Sequence, residues 1–208
     1  MNCYNFMMKY SFTKPQVALL CVNILSVLGF GFYYVRSVNY EFVAYALSIV
    51  LVVGLLYATL PITKFPTYII LGITMWALLH MMGGSVQTPD GVLYAYKIFP
   101  FIDKGDDFYV LKMDQVIHAF LYGIVGLMFL HLLRNIVGIK THIVFIAFVA
   151  IFAAAGFSIL NEIIEFLASV NLPHTGVGGY ENTVLDLIFN IVGASIAVLG
   201  TTFLRSKK

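Results

Sequence analysis

Apolar runs of about 20 residues recur along this chain, near 15–35, 40–60, 66–82, 113–133, 141–168 and 183–204. Coiled as helices, runs of that length reach across the ~30 Å hydrocarbon core of a bilayer. That core offers no water to backbone N–H and C=O groups, so each run has to satisfy them internally. Only 11% of the 208 residues are charged and 61% are hydrophobic, whereas soluble domains carry roughly 25% charged residues. The expected fold is therefore an all-α, polytopic transmembrane helical bundle with six spans, forming a single transmembrane domain over residues 1–208.

The first run could be taken for a signal peptide, because Lys9 and Lys14 precede it. It continues to about Val35 with no small-residue cleavage site after it, which reads as a retained helix. Pro15 and Pro66 suit first turns of helices, where a missing N–H costs little. Pro61 and Lys64 mark the turn between the second and third spans. Cys3 and Cys21 have no metal-site spacing, and the net charge of +2 gives no reason to expect nucleic acid.

Lysines and arginines set the orientation. One side receives Lys9, Lys14, Lys64, Arg134, Lys140, Arg205, Lys207 and Lys208; the other receives Arg36, Lys97, Lys104 and Lys112. Eight against four places both termini in the cytoplasm of a multi-pass cell-membrane protein. Two loops then face outward. Residues 83–112 form a long polar connection rich in Gly, Asp and aromatics, part of it suited to the membrane interface. Residues 169–182 join the last two spans and carry His174 among Gly176, Gly178 and Gly179.

Ionisable groups inside spans cost several kcal/mol, ~3 at a helix centre by insertion scales, and usually mark a site. Here they are His80 at the end of span three, Asp114 and His118 at the start of span four, Glu162 and Glu165 near the end of span five, and Asp186 at the start of span six. With the orientation above, all six fall in the outer half of the membrane. Asp114 and His118 are one turn apart on one face, which Tyr122 extends. Ala155, Ser158, Glu162, Glu165 and Ser169 form a second polar or small stripe; Asp186, Asn190, Gly193 and Ala197 form a third. Small residues let helices approach and polar ones find partners there, so spans four, five and six should pack seam to seam with His80 at the edge. Asp114 and Asp186 sit in first turns, where free N–H groups and the helix dipole favour a carboxylate. His118 lies a turn deeper. Glu162 and Glu165 lie near a helix C-terminus, where the dipole opposes negative charge, and they repel each other. A cation between them, or protons taken up by them, would relieve that.

Asp114-Gln-Val-Ile-His118, Glu162-Ile-Ile-Glu165 and Asp186-x-x-x-Asn190-x-x-Gly193 together resemble the VanZ-like membrane proteins. Those carry Asp-x-x-x-His on one helix, a Glu before a break and Asp-x-x-x-Asn-x-x-Gly on the last helix. The chain looks closer still to the YjdF-type bacterial inner-membrane family, a VanZ relative, through His80-Met-Met-Gly83-Gly84 and the Glu-x-x-Glu pair. The pattern departs from these families at Gln115, Glu165 and Leu185, where Lys, Gln and Trp are usual. The VanZ resemblance implies a link to glycopeptide resistance.

Three functions fit these residues. The first is a metal-dependent membrane hydrolase, with His80, Asp114, His118, Glu162 and Asp186 as candidate ligands for Zn²⁺ or Mn²⁺. Glu165 would act as general base with Glu162 beside it, and the substrate would be a lipid or lipid-linked molecule. His174 would close over the pocket as a further ligand. The second is a VanZ-like binder of an outer-leaflet lipid, a cell-wall precursor or a glycopeptide, without turnover. The third is proton-coupled transport, against which stands the lack of ionisable residues in the cytoplasmic halves of the spans.

Overall fold

The computed structural model describes residues 11–105, 108–139, 142–172 and 175–206. It is 77% helical. Among the described residues the helices are α1 Lys14–Arg36, α2 Tyr40–Thr63, α3 Thr67–Gly83, α4 Met113–His131, α5 Ile143–Asn171 and α6 Tyr180–Ser206. All but α3 are long and apolar enough to cross a membrane; α3 has 17 residues, which at 1.5 Å per residue span about 26 Å. A wider π turn, Leu132–Ile136, extends α4 beyond His131.

Local signals set the helix ends. The Thr13 N–H donates to Gln16 Oε1 at 2.9 Å ahead of α1, and Pro15 occupies its first turn. Asn39 Oδ1 accepts the Phe42 N–H at 3.2 Å to start α2. The expectation that Pro61 opens the turn after α2 is corrected: the helix runs through Pro61 to Thr63. The φ of proline suits a helix, and so near the C-terminus its missing N–H costs one bond of a ladder about to end. Lys64 ends α2 by turning left-handed at φ 50°, with its N–H on Leu60 O at 2.9 Å.

The chain divides into two compact units, Met1–Met81 and Met82–Lys208. In the first, polar side chains inside the apolar helices bond to neighbouring helices. Asn23 Nδ2 donates to Thr74 Oγ1 at 2.7 Å, Tyr57 OH to Gln16 O at 2.6 Å, and Tyr34 OH to Met81 O.

In the second unit the connection before α4 is more regular than an irregular polar loop. It holds two antiparallel pairs, β1 Gln87–Thr88 with β2 Gly91–Val92, and β3 Lys97–Asp103 with β4 Tyr109–Lys112. The Pro89-Asp90-Gly91 turn makes the first pair possible, with Gly91 at φ 110°, a backbone that side chains with a Cβ disfavour. Beyond it, α4, α5 and α6 pack on one another around Leu130, Ile146, Ala147, Ala150 and Val198. Small residues bring α4 and α6 into near backbone contact. A Cβ built on Gly193 would fall onto the backbone of Ala119, and one on Gly126 would meet Val198 Cγ2 at 2.9 Å.

These contacts rank three substitutions. Gly193→Ala forces backbone apart and should destabilise by about 1–3 kcal/mol. Gly126→Ala meets only a methyl group at the end of a side chain and should cost less. Gly156→Ala has open space around it and should be neutral or gain up to about 1 kcal/mol from helix propensity. Thermal melts of the three variants in one detergent check the order; equal melting temperatures for Gly193→Ala and Gly156→Ala would contradict the packing.

Candidate functional site

Three helices supply the site, all from the second unit. On α4, Gln115 is fully buried and holds the helix start: its Oε1 accepts the Lys112 N–H at 3.1 Å and its Nε2 donates to Tyr109 O at 2.9 Å. That places Asp114 in the first turn and His118 one turn further on the same face. On α6, Asn182 occupies the first turn and Asp186 and Asn190 follow at intervals of four. Gly178, at φ 77°, packs against Asn182 so closely that a Cβ there would lie 2.8 Å from the Asn182 Cβ. On α5, Glu162 and Glu165 lie in the C-terminal part of the helix. The start of α4, the end of α5 and the start of α6 thus meet at one end of this unit.

His118 is at the centre. Its Nδ1 lies 3.1 Å from Asn190 Oδ1 and 4.0 Å from Glu162 Oε1. Its Nε2 lies 3.6 Å from Asp114 Oδ1 and 3.8 Å from Glu165 Oε1. An amide oxygen can only accept, so Nδ1 donates to Asn190, and Nε2 faces the carboxylates of Asp114 and Glu165. Asn182 Nδ2 donates to Asp186 Oδ2 at 2.7 Å, to Val177 O at 3.2 Å and to Asp114 Oδ2 at 3.4 Å. Two protons cannot serve three acceptors equally, so the contact with Asp114 is the weakest. Asn161 Nδ2 donates to Glu165 Oε1 at 2.8 Å. Tyr122 is buried with its ring 6.5 Å from that of His118.

Four carboxylates therefore surround one imidazole. Asp186 and Asn190 are fully buried, His118 is 8% exposed, and the Glu162 side chain is 9% exposed. Among the described residues, both carboxylate oxygens of Glu162, Asp186 Oδ1 and Asn190 Nδ2 have no hydrogen-bond partner. Unpaired buried carboxylate oxygens are costly, and polar groups left so usually answer to something else. One ligand atom each from Asp114, His118 and Asp186 lies within 4.8 Å of the others, and the same holds for Glu162, Glu165 and Asp186. Those are the sets able to close around a cation.

His80 belongs to the first unit, where its ring packs beside Trp76 at 5.5 Å, Tyr45 at 5.2 Å and Phe42 at 6.2 Å. His174 lies outside the described residues. Ser158 is buried on the α5 seam with its hydroxyl on Ala155 O, while Ser169, further along the same stripe, is exposed. Sequence reasoning passed over Asn161 and Asn182 and treated Asn190 as part of a seam. The signal for Asn182 was present: it stands one turn before Asp186 on the same face.

A family model described as "Predicted membrane protein (DUF2238)" matches residues 16–207, a stretch that includes every residue of the cluster. No curated protein and no solved structure matches the chain.

Asn182→Ala removes the one donor to the fully buried Asp186 carboxylate. The expected loss is about 1–3 kcal/mol, read as a lower melting temperature. In Asp186→Ala the acceptor is gone as well, so adding Asn182→Ala to it should cost much less. A double-mutant cycle showing no coupling would remove this bond from the account.

Proposed function

The chain belongs to the predicted membrane protein family DUF2238, and from that premise we propose that its intramembrane cluster binds a divalent cation and hydrolyses a lipid or lipid-linked substrate. One observation carries the reading. Three buried carboxylate oxygens, two of Glu162 and one of Asp186, have no partner among the described residues. A cation would occupy them and offset the negative charge of the carboxylates gathered around His118.

The proposed ligands are Asp114, His118, Glu162 and Asp186, a mixture of oxygen and imidazole donors that suits Mn²⁺ or Zn²⁺. A bound cation of this kind lowers the pKa of a water and polarises the bond to be cleaved. The side chains do the rest. Asn190 holds the Nδ1 proton of His118 and so presents Nε2 to the site. Asn161 orients Glu165, which takes the proton of the attacking water and returns it to the leaving oxygen.

The resemblance to VanZ-like proteins supports a second reading, in which the same pocket retains an outer-leaflet lipid, a cell-wall precursor or a glycopeptide without turnover. Hydrolysis and retention separate cleanly: Glu165→Gln abolishes turnover under the first reading and leaves ligand retention intact under the second. In both readings the cluster opens away from the cytosol, following the lysine and arginine distribution.

Metal analysis tests the cation. Purified protein should contain at least one Mn²⁺ or Zn²⁺ per chain, lost on treatment with a chelator. Readdition at 100 times Kd should stabilise by about 2.7 kcal/mol, and Glu162→Gln and Asp186→Asn should each largely remove that gain. Absence of bound metal together with no thermal shift would end this reading. For the orientation, a reporter fused after Lys208 should be active only as a cytoplasmic marker; activity as an exported one would reverse the side to which the site opens.

A further inference from the structure

The β3–β4 pair contains an apolar protrusion that none of the preceding chemistry uses. Lys97 pairs with Lys112 and Ile102 with Val110, so five steps along β3 are matched by two along β4. Four residues of β3, Ile98, Phe99, Pro100 and Phe101, therefore stand against one of β4, Leu111, and form a bulge. Pro100 has no N–H to give a ladder, which favours the bulge. All four residues are exposed, Phe99 by 54% and Phe101 by 67%. An ordinary antiparallel pair packs one face on a core; along β3 every residue after Lys97 is exposed. The two phenylalanine rings lie 4.9 Å apart, edge to face, and form one apolar knob.

The position of the knob decides what covers it. Lys112 is followed directly by Met113, the first residue of a membrane-spanning helix, and the Met113 N–H donates to Tyr96 O at 2.9 Å. The bulge therefore begins two residues after a backbone bond to the start of α4. It ends beside the Ile102–Val110 pair, ~10 Å of strand from that helix. Lysines flank it on both sides, and each places its ammonium over an aromatic ring: Lys97 on Tyr109 at 5.0 Å and Lys104 on Phe108 at 5.4 Å. Apolar side chains bracketed by lysines at a span terminus match the boundary between headgroups and acyl chains.

We propose that the Ile98–Phe101 bulge is a shallow membrane anchor, seated in the interface of the leaflet in which α4 begins. Its partner is the lipid surface itself. Insertion stays shallow because backbone outside a regular ladder must keep water or headgroups within reach. The clip formed by Gln115 with Lys112 and Tyr109 makes the connection stiff. The anchor thus sets the depth at which the first turns of α4, and with them Asp114 and His118, lie in the bilayer. The inference stands apart from any catalytic reading of that cluster.

Spin labels test it in the full chain, in nanodiscs holding one copy, with Cys3 and Cys21 replaced by Ser. Labels go at Phe99→Cys, Phe101→Cys and, as a hydrocarbon reference, the exposed Ile196→Cys on α6. At positions 99 and 101, collision with oxygen should exceed collision with a water-soluble nickel chelate. The ratio should be smaller than at position 196. A larger nickel than oxygen term places the knob in water and overturns the proposal. Low accessibility to both places it against protein, and overturns it equally. As a second measurement, Phe101→Trp should be quenched more strongly by lipids labelled near the headgroup than by lipids labelled at the chain end. The reverse order, or no quenching, rejects a shallow anchor.

Discussion

Near backbone contact between α4 and α6 is the constraint from which the second unit follows. Gly193 presses on Ala119, and no side chain intervenes. Once those two residues touch, helical spacing dictates what faces what. His118 adjoins Ala119, and Asn190 and Asp186 stand one and two turns before Gly193. The imidazole is thereby brought to Asn190, and Asp114 to the neighbourhood of Asn182 and Asp186. In lipid, helices gain little from burying apolar area against one another, so close packing and polar bonds have to supply the association. The glycine provides the first and enforces the second.

Amides manage the charge that this packing concentrates. Asn190 contacts the histidine, Asn182 donates to Asp186 and weakly to Asp114, and Asn161 donates to Glu165. Each amide is neutral and can donate to a carboxylate without adding to the negative charge. Among the described residues Glu162 receives no such donor within hydrogen-bond geometry. In a medium of low dielectric, an unopposed carboxylate is among the most expensive groups to keep. The asymmetry between Glu162 and its three served neighbours is what the proposed cation site rests on.

Much of this was legible beforehand, for a simple reason. Helical period and span length are local properties, and the stripes through Asp114 and His118, through Ser158, Glu162 and Glu165, and through Asp186, Asn190 and Gly193 can be counted along the chain. The helix ends shifted by a few residues, as at Tyr180 where residue 183 was expected. Two features of the fold were not legible. The β pairs between α3 and α4 depend on a register with surplus residues, and Pro61 within α2 depends on how close the helix end lies. The role of Asn182 was easy to miss because an asparagine at a helix start has a plain capping explanation, and Asn161, inside α5, shows its role only through its contact with Glu165.

By itself the sequence determined that this chain inserts in a membrane as helices, because unbroken apolar runs admit no other way to satisfy their backbone. It also determined which faces carry the ionisable groups, because 3.6 residues per turn leaves no choice once a helix forms. Tertiary structure alone decided that His118 takes Asn190 as its closest partner, that Glu162 keeps two unpaired oxygens, and that His80 packs among Trp76, Tyr45 and Phe42. Those outcomes depend on how far apart two helices stand and how they are rotated. Contacts between residues some 70 positions apart set both quantities, and no local pattern records them.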